Sequence, residues 1–194
     1  MAKEKENISI KEVGNVLSKA ELYIEENQKS LTIIFIVILV IIASYFAFKN
    51  FYLLPADKEA QEEMYMAEKY FELDSFRLAL EGYEGNLGFL DIIKEYRLTK
   101  TANLACYYAG ICYLNLGEYN EAIKYLKKFD SNDKIISTIA IGSMGDAYLE
   151  LGNKKKAAEL FIKASEKNKN NITSPLYLRK AALVYEDLNK KKEA

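Results

Sequence analysis

The chain has 194 residues, half of them hydrophobic, with 27 basic against 28 acidic side chains and no histidine. This near balance, without a long block of like charge, leaves no electrostatic footprint for a phosphate backbone and excludes nucleic acid as the expected partner. Two prolines and nine glycines are few for a sandwich or barrel, so the composition points to an all-α chain.

At the N-terminus, Ser9 and Glu12 have the spacing of a capping box, and Ile10, Val13, Leu17, Ala20 and Ile24 recur at helical intervals. A short amphipathic helix within residues 1–29 follows from this pattern, although a loosely structured tail accounts for the same residues. The segment 30–48, SLTIIFIVILVIIASYFAF, then runs without a charge. As a helix it spans roughly 28 Å, close to the hydrocarbon thickness of a bilayer. Only Thr32 and Ser44 interrupt its apolar character, which is too little for the polar stripe of a soluble helix. Lys29 and Lys49 bracket the run, and Tyr45, Phe51 and Tyr52 stand where amphipathic rings favour the headgroup layer. No small-residue cleavage pattern follows, so residues 30–54 are expected to form an uncleaved transmembrane anchor with its interfacial flank. Lys11, Lys19 and Lys29 on one side against Lys49 and Lys58 on the other give a small bias toward a cytoplasmic N-terminus. In a bacterial cell this orientation places residues 55–194 in the periplasm.

Residues 55–194 repeat themselves. Gly110, Tyr113, Gly117, Ala122 and Leu126 match Gly145, Tyr148, Gly152, Ala157 and Phe161 at one constant offset. The pattern continues at Ala182, Tyr185, Asn189 and Ala194, and a weaker copy lies upstream at Ala67, Tyr70, Asp74, Phe76, Ala79 and Tyr83. The units are expected at about 60–86, 103–136, 138–171 and 175–194, with a helical insert at about 87–99. The last unit stops near the start of its second helix, so either the sequence is truncated or a partner covers the exposed edge.

Each recurring residue type has a physical role. Gly110, Gly145 and Ala182 are expected where two helices cross closely and a larger side chain would force the backbones apart. Gly117 and Gly152, with Asn189 as the next-best residue, are expected to close the first helices with a positive φ. Tyr113, Tyr148 and Tyr185 lie on the same face three residues further on and are expected to fill the space between the two helices of a unit. Pro175 is expected to open the last first-helix, where its missing N–H costs nothing.

No catalytic or metal signature is present. Cys106 and Cys112 are six residues apart on one helix, a spacing that forbids a disulfide, and no histidine or further cysteine exists to complete a metal site. The acidic doublets Glu25-Glu26 and Glu62-Glu63 direct their members to different helix faces and form no dyad. The chain is expected to be neither an enzyme nor a cofactor binder.

The small residue followed three places later by tyrosine, the glycine turn and the Ala-x-x-x-Leu or Ala-x-x-x-Phe second helix resemble the tetratricopeptide repeat (TPR) family over about residues 60–194. The resemblance implies an α-solenoid of about four helix-turn-helix units that binds protein segments along a groove lined by its first helices. Transferred unit by unit, the groove positions are Met64, Glu68 and Glu72, then Tyr107, Ile111 and Asn115. Gly142, Asp146 and Glu150 follow, then Arg179, Leu183 and Asp187. This face lacks the Lys, Asn and Arg set of the carboxylate-clamp TPR proteins and suits apolar segments flanked by basic residues, although the acids serve a solvated surface equally well. The whole arrangement is similar to bacterial YfgM-like proteins and to TPR proteins of Bacteroidota-type bacteria. It implies an inner-membrane, single-pass protein whose partners are SecYEG translocon subunits, periplasmic chaperones or exported chains. A structural scaffold in an envelope assembly or secretion complex is the other reading.

Overall fold

In a computed structural model, residues 26–188 are described; the expected amphipathic helix of residues 9–24, Glu25, Asn189 and Ala194 fall outside them. The chain divides into two units, Met1–Tyr52 and Leu53–Ala194.

The described part of the first unit is helix α1, residues 26–48. Its apolar side chains are exposed: Ile33 and Ile41 are each 63% exposed, and the apolar window has no buried residue. A core helix would be covered, so this helix is long and apolar enough to cross a membrane and has the exposure that such a role requires. Thr32 resolves its own polarity by donating from Oγ1 to the Gln28 carbonyl at 2.8 Å. Helical structure continues through a π-helical turn, Lys49–Leu53, which the sequence pattern did not indicate.

The second unit is a chain of helices in which each packs mainly on its sequence neighbours: α2 (Leu54–Glu72), α3 (Phe76–Glu81), α4 (Phe89–Glu95), α5 (Lys100–Asn115), α6 (Tyr119–Lys128), α7 (Lys134–Glu150), α8 (Lys154–Lys167) and α9 (Thr173–Asp187). Among the described residues there is no strand. The pairs α2/α3, α5/α6 and α7/α8 are antiparallel hairpins, and α5 packs on α2 and α7, as α9 does on α7. This quasi-one-dimensional contact pattern is that of an α-solenoid.

The hairpin turns explain the sequence repeat. Gly117 and Gly152 have φ of 77° and 75°. In each turn the residue after the glycine donates its N–H back to a tyrosine carbonyl, Glu118 to Tyr113 at 2.9 Å and Asn153 to Tyr148 at 2.8 Å. The glycine N–H itself bonds to Leu114 or Leu149. These are Schellman closures, and the recurring tyrosine is their third-from-last helical residue. The first hairpin uses the same closure with Asp74 at φ 54° in place of glycine, and Ser75 donates to Tyr70 at 2.8 Å. Asp is one of the few residues with a Cβ that tolerates that region.

The small residues lie where the helices cross. A Cβ on Gly110 would stand 2.5 Å from Leu126 Cγ, and one on Gly145 would stand 2.6 Å from the Phe161 ring. Ala122 and Ala157 on the opposing helices are fully buried, as are Ala67 and Ala79 in the first hairpin. Tyr113 is buried and stacks on Tyr125 at 5.4 Å, within its own hairpin as expected. Tyr148 and Tyr185 are half-buried and pack against the core. Ala182 is only half-buried.

Two details depart from the sequence reading. Helix α9 begins at Thr173 rather than at Pro175, because Asn170 Oδ1 accepts the N–H groups of Ile172 and Thr173, both at 2.8 Å. Pro175 is then the third helical residue, still within the turn that has no intrahelical acceptor. The insert is also part of the core. Gly82 and Gly88 cross so closely that a Cβ on either would meet the other's backbone, and this neck ends α3 and starts α4. Phe89 and Ile92 on α4 are fully buried, and Phe89 stacks on Tyr108 at 5.1 Å with Phe71 edge-on to both. Burial of each side chain contributes about 2 kcal/mol.

Candidate functional site: the face of the first helices

Helices α2, α5, α7 and α9 hold equivalent places in successive units, so their equivalent positions present one type of surface. Each contact between adjacent first helices can therefore be compared along the array.

At the α7/α9 boundary, Lys180 donates to both Asp146 oxygens at 2.8 Å. The lysine also lies over the rings of Phe161 and Tyr177, at 5.5 and 5.8 Å. Asp146, Leu183 and Asp187, three of the expected groove residues, share a shallow cavity of about 240 Å³ with Leu149, Phe161 and Lys180. Leu183 is 55% exposed and is the apolar feature this cavity offers to a partner. Asp187 is paired to Lys154 Nζ at 2.5 Å. Two of the carboxylates that make the groove acidic in sequence are thus neutralised by lysines, and the acidic share is smaller than the residue types imply.

The residue that covers Gly142 is Tyr177, whose ring a methyl on that glycine would overlap. Gly142 is therefore closed off from solvent. Tyr177 is 5% exposed, and burial, with Asp146 and Tyr107 nearby, pushes its phenol up to about 12. Tyr107 is half-buried between Tyr108 and Phe129, at 5.5 and 5.4 Å, and burial raises its phenol as well.

At the α2/α5 boundary, the counterpart of the Asp146–Lys180 pair is Glu68 beside Tyr108. No lysine stands there. Burial, and then the Glu72 carboxylate, raise the Glu68 pKa, with Lys69 opposing them. Glu72 accepts from Lys69 Nζ at 2.7 Å. Glu68 is thus a half-buried carboxylate with no ion pair among the described residues, and it is the groove acid best placed to meet a partner's cation.

The remaining positions are scattered. Met64 is 4% exposed and belongs to the core and not to the groove surface, because α2 packs on α4 and α5 as well as on α3. Ile111 is half-buried and its carbonyl accepts from Asn115 Nδ2 at 2.9 Å. Glu150 faces the Tyr119 hydroxyl at 3.5 Å. This contact and Lys154–Asp187 are equivalent links in successive units, from the start of a second helix to the end of the next first helix. Arg179 is exposed. Sequence reasoning missed Lys180 and Tyr177. The signal was available for Lys180, which stands at the inter-unit register that Tyr108 holds opposite Glu68.

Cys106 and Cys112 are free and buried, with the Cys112 thiol pushed up to about 12 by burial, so both act as small core residues.

The comparisons agree with this geometry. Residues 105–133, which comprise most of α5 and all of α6, match the family model described as "Tetratricopeptide repeat". The chain is 33% identical over 128 residues to human "Tetratricopeptide repeat protein 29", an alignment covering 61% of this chain and 27% of that relative. The match thus spans about a quarter of the relative's length. No solved structure matches significantly. The helical hairpins and their Schellman turns make the second unit a TPR-like α-solenoid, and residues 105–133 within it are similar to the tetratricopeptide repeat family.

Proposed function

We propose that this protein is a membrane-tethered TPR adaptor of the bacterial inner membrane that holds its groove beside the SecYEG translocon and handles exported chains together with periplasmic chaperones. The observation that carries the reading is the joining of an exposed apolar helix of bilayer length to a repeat module that presents Leu183 and the uncompensated Glu68 on its first-helix face. An exported segment is apolar and flanked by basic residues, and this pair of features complements it. Tethering raises the effective concentration of groove and client without a new contact. The N-terminus is cytoplasmic and the repeat module periplasmic in this reading, which rests on the lysine bias around the span. A scaffold subunit of an envelope assembly uses the same groove for one fixed partner.

Photoreactive residues at Glu72 and Leu183 in intact membranes test the proposal. Adducts with many exported chains and with translocon subunits support it. A single stoichiometric adduct selects the scaffold, and the absence of both translocon and exported chains removes the translocon role. Protease protection of the repeat module in spheroplasts tests the orientation: digestion from outside is expected, and full protection reverses it.

A further inference from the structure

A second site lies away from the first-helix groove, in a cavity of about 300 Å³ where the end of α6, the start of α7 and the end of α8 meet. Three lysines line it, Lys127 from α6 and Lys163 and Lys167 one turn apart on α8, against the single carboxylate of Asp130. Lys163 and Lys167 have no ion-pair partner among the described residues, and Lys127 has only the Tyr148 hydroxyl, at 3.2 Å. The lining therefore carries an uncompensated positive charge.

An independent observation points to a ligand. Ser137, also in the lining, is 7% exposed and its Oγ has no hydrogen-bond partner. A buried hydroxyl left without a partner costs about 1–3 kcal/mol, so its retention calls for an explanation. The next unit supplies the control. Ser174 occupies the equivalent place, and its Oγ donates to the Ser165 carbonyl at 2.8 Å and accepts from Asn170 N–H at 3.2 Å. The cavity beside Ser174 is lined by one glutamate and one lysine, with no charge excess. The orphan hydroxyl and the surplus of lysine thus occur together at one unit boundary and are both missing from the next.

We propose that this cavity binds an oxyanion, a phosphate or carboxylate group carried on an apolar body. Lys127, Lys163 and Lys167 supply the charge and Ser137 Oγ–H donates to an anion oxygen. Phe129, Ile141 and Met144 form an apolar wall for the rest of the ligand. Asp130 disfavours ligands with a negative charge spread over their whole length.

The full chain in nanodiscs of zwitterionic lipid is titrated with inorganic phosphate and with phenyl phosphate, by calorimetry and ³¹P NMR. Saturable binding of phenyl phosphate is expected, tighter than inorganic phosphate by about tenfold if the ring is buried. The Lys163→Gln/Lys167→Gln double variant loses it by at least about tenfold, Ser137→Ala weakens it about three- to tenfold, and Lys100→Gln/Lys155→Gln does not change it. The substituted lysines are exposed, so these variants retain the fold, which a thermal melt verifies. No saturable binding of either probe, or binding that survives the Lys163/Lys167 double variant, overturns the proposal. Equal binding of both probes retains the oxyanion site and removes the apolar wall from it.

Discussion

Lys180 grips both oxygens of Asp146 across the boundary between two repeat units, while the equivalent carboxylate two boundaries earlier, Glu68, has an aromatic ring beside it and no lysine across the boundary. The same position thus serves as an internal joint at one end of the array and as an open acid at the other. Both members of the joint are about one-third exposed, so solvent screens it. A double-mutant cycle with Asp146→Asn and Lys180→Met should give a coupling of about 0.5–1 kcal/mol, measured by urea unfolding. A coupling near zero would reduce the pair to a surface contact without energetic weight.

Glu68→Gln should leave stability at neutral pH unchanged or slightly raised, since burial already disfavours the charge. The fold raises this pKa, so the charge penalty is present above the folded pKa and disappears below the unfolded value. Binding of a basic segment should run the other way, because it needs the carboxylate ionised, and should weaken as pH falls through the raised pKa. Titration by ¹³C-detected NMR of the side chain, free and with a lysine-flanked peptide, reads the shift directly; the peptide should lower the pKa.

Gly142→Ala should destabilise by about 1–3 kcal/mol, because its methyl overlaps the Tyr177 ring on a neighbouring helix. Combining it with Tyr177→Ala should cost less than the sum of the two single variants. Gly152→Ala meets no atom within 4 Å, so its cost is conformational only, about 1 kcal/mol, with Gly152→Asn less harmful.

Alkaline pH should loosen the second unit. Cys112 and Tyr177 are both pushed up to about 12 by burial. Their neutral forms are favoured in the fold, so the stability they contribute is present below the unfolded values, near 9 and 10, and is lost as pH rises toward 12. Urea midpoints measured from pH 8 to 11.5 should fall, and Cys112→Ala should flatten part of that slope. Iodoacetamide should label neither thiol at pH 8 until the chain unfolds.

The repeat was legible because its determinants are local. Gly117 and Gly152 need a positive φ, and Tyr113 and Tyr148 stand at a fixed distance before them in the closure, so sequence spacing alone carries the turn. Asp74 stood at the equivalent place in the weaker upstream copy, and its positive φ came from the structure. The insert's place in the core was not, since the Gly82–Gly88 neck is a contact between backbones that only the folded loop creates. Met64 shows the limit of transferring positions between units: α4 covers α2, and a residue equivalent to Tyr107 is drawn inside. The pairing of the groove acids was not legible, with Lys180 of α9 answering Asp146 and Lys154 of α8 answering Asp187, because ion pairing between helices depends on register as well as residue type.

The central claim is that the first-helix face binds apolar, basic-flanked protein segments, and a direct titration tests it. A fluorescent leucine-rich peptide with lysines at both ends is added to the full chain in nanodiscs and followed by anisotropy. The account predicts saturable binding that Leu183→Arg weakens by about tenfold or more and Glu68→Gln by about two- to fivefold, with Lys155→Gln unchanged. Absence of saturable binding, or binding indifferent to both Leu183→Arg and Glu68→Gln, would contradict it.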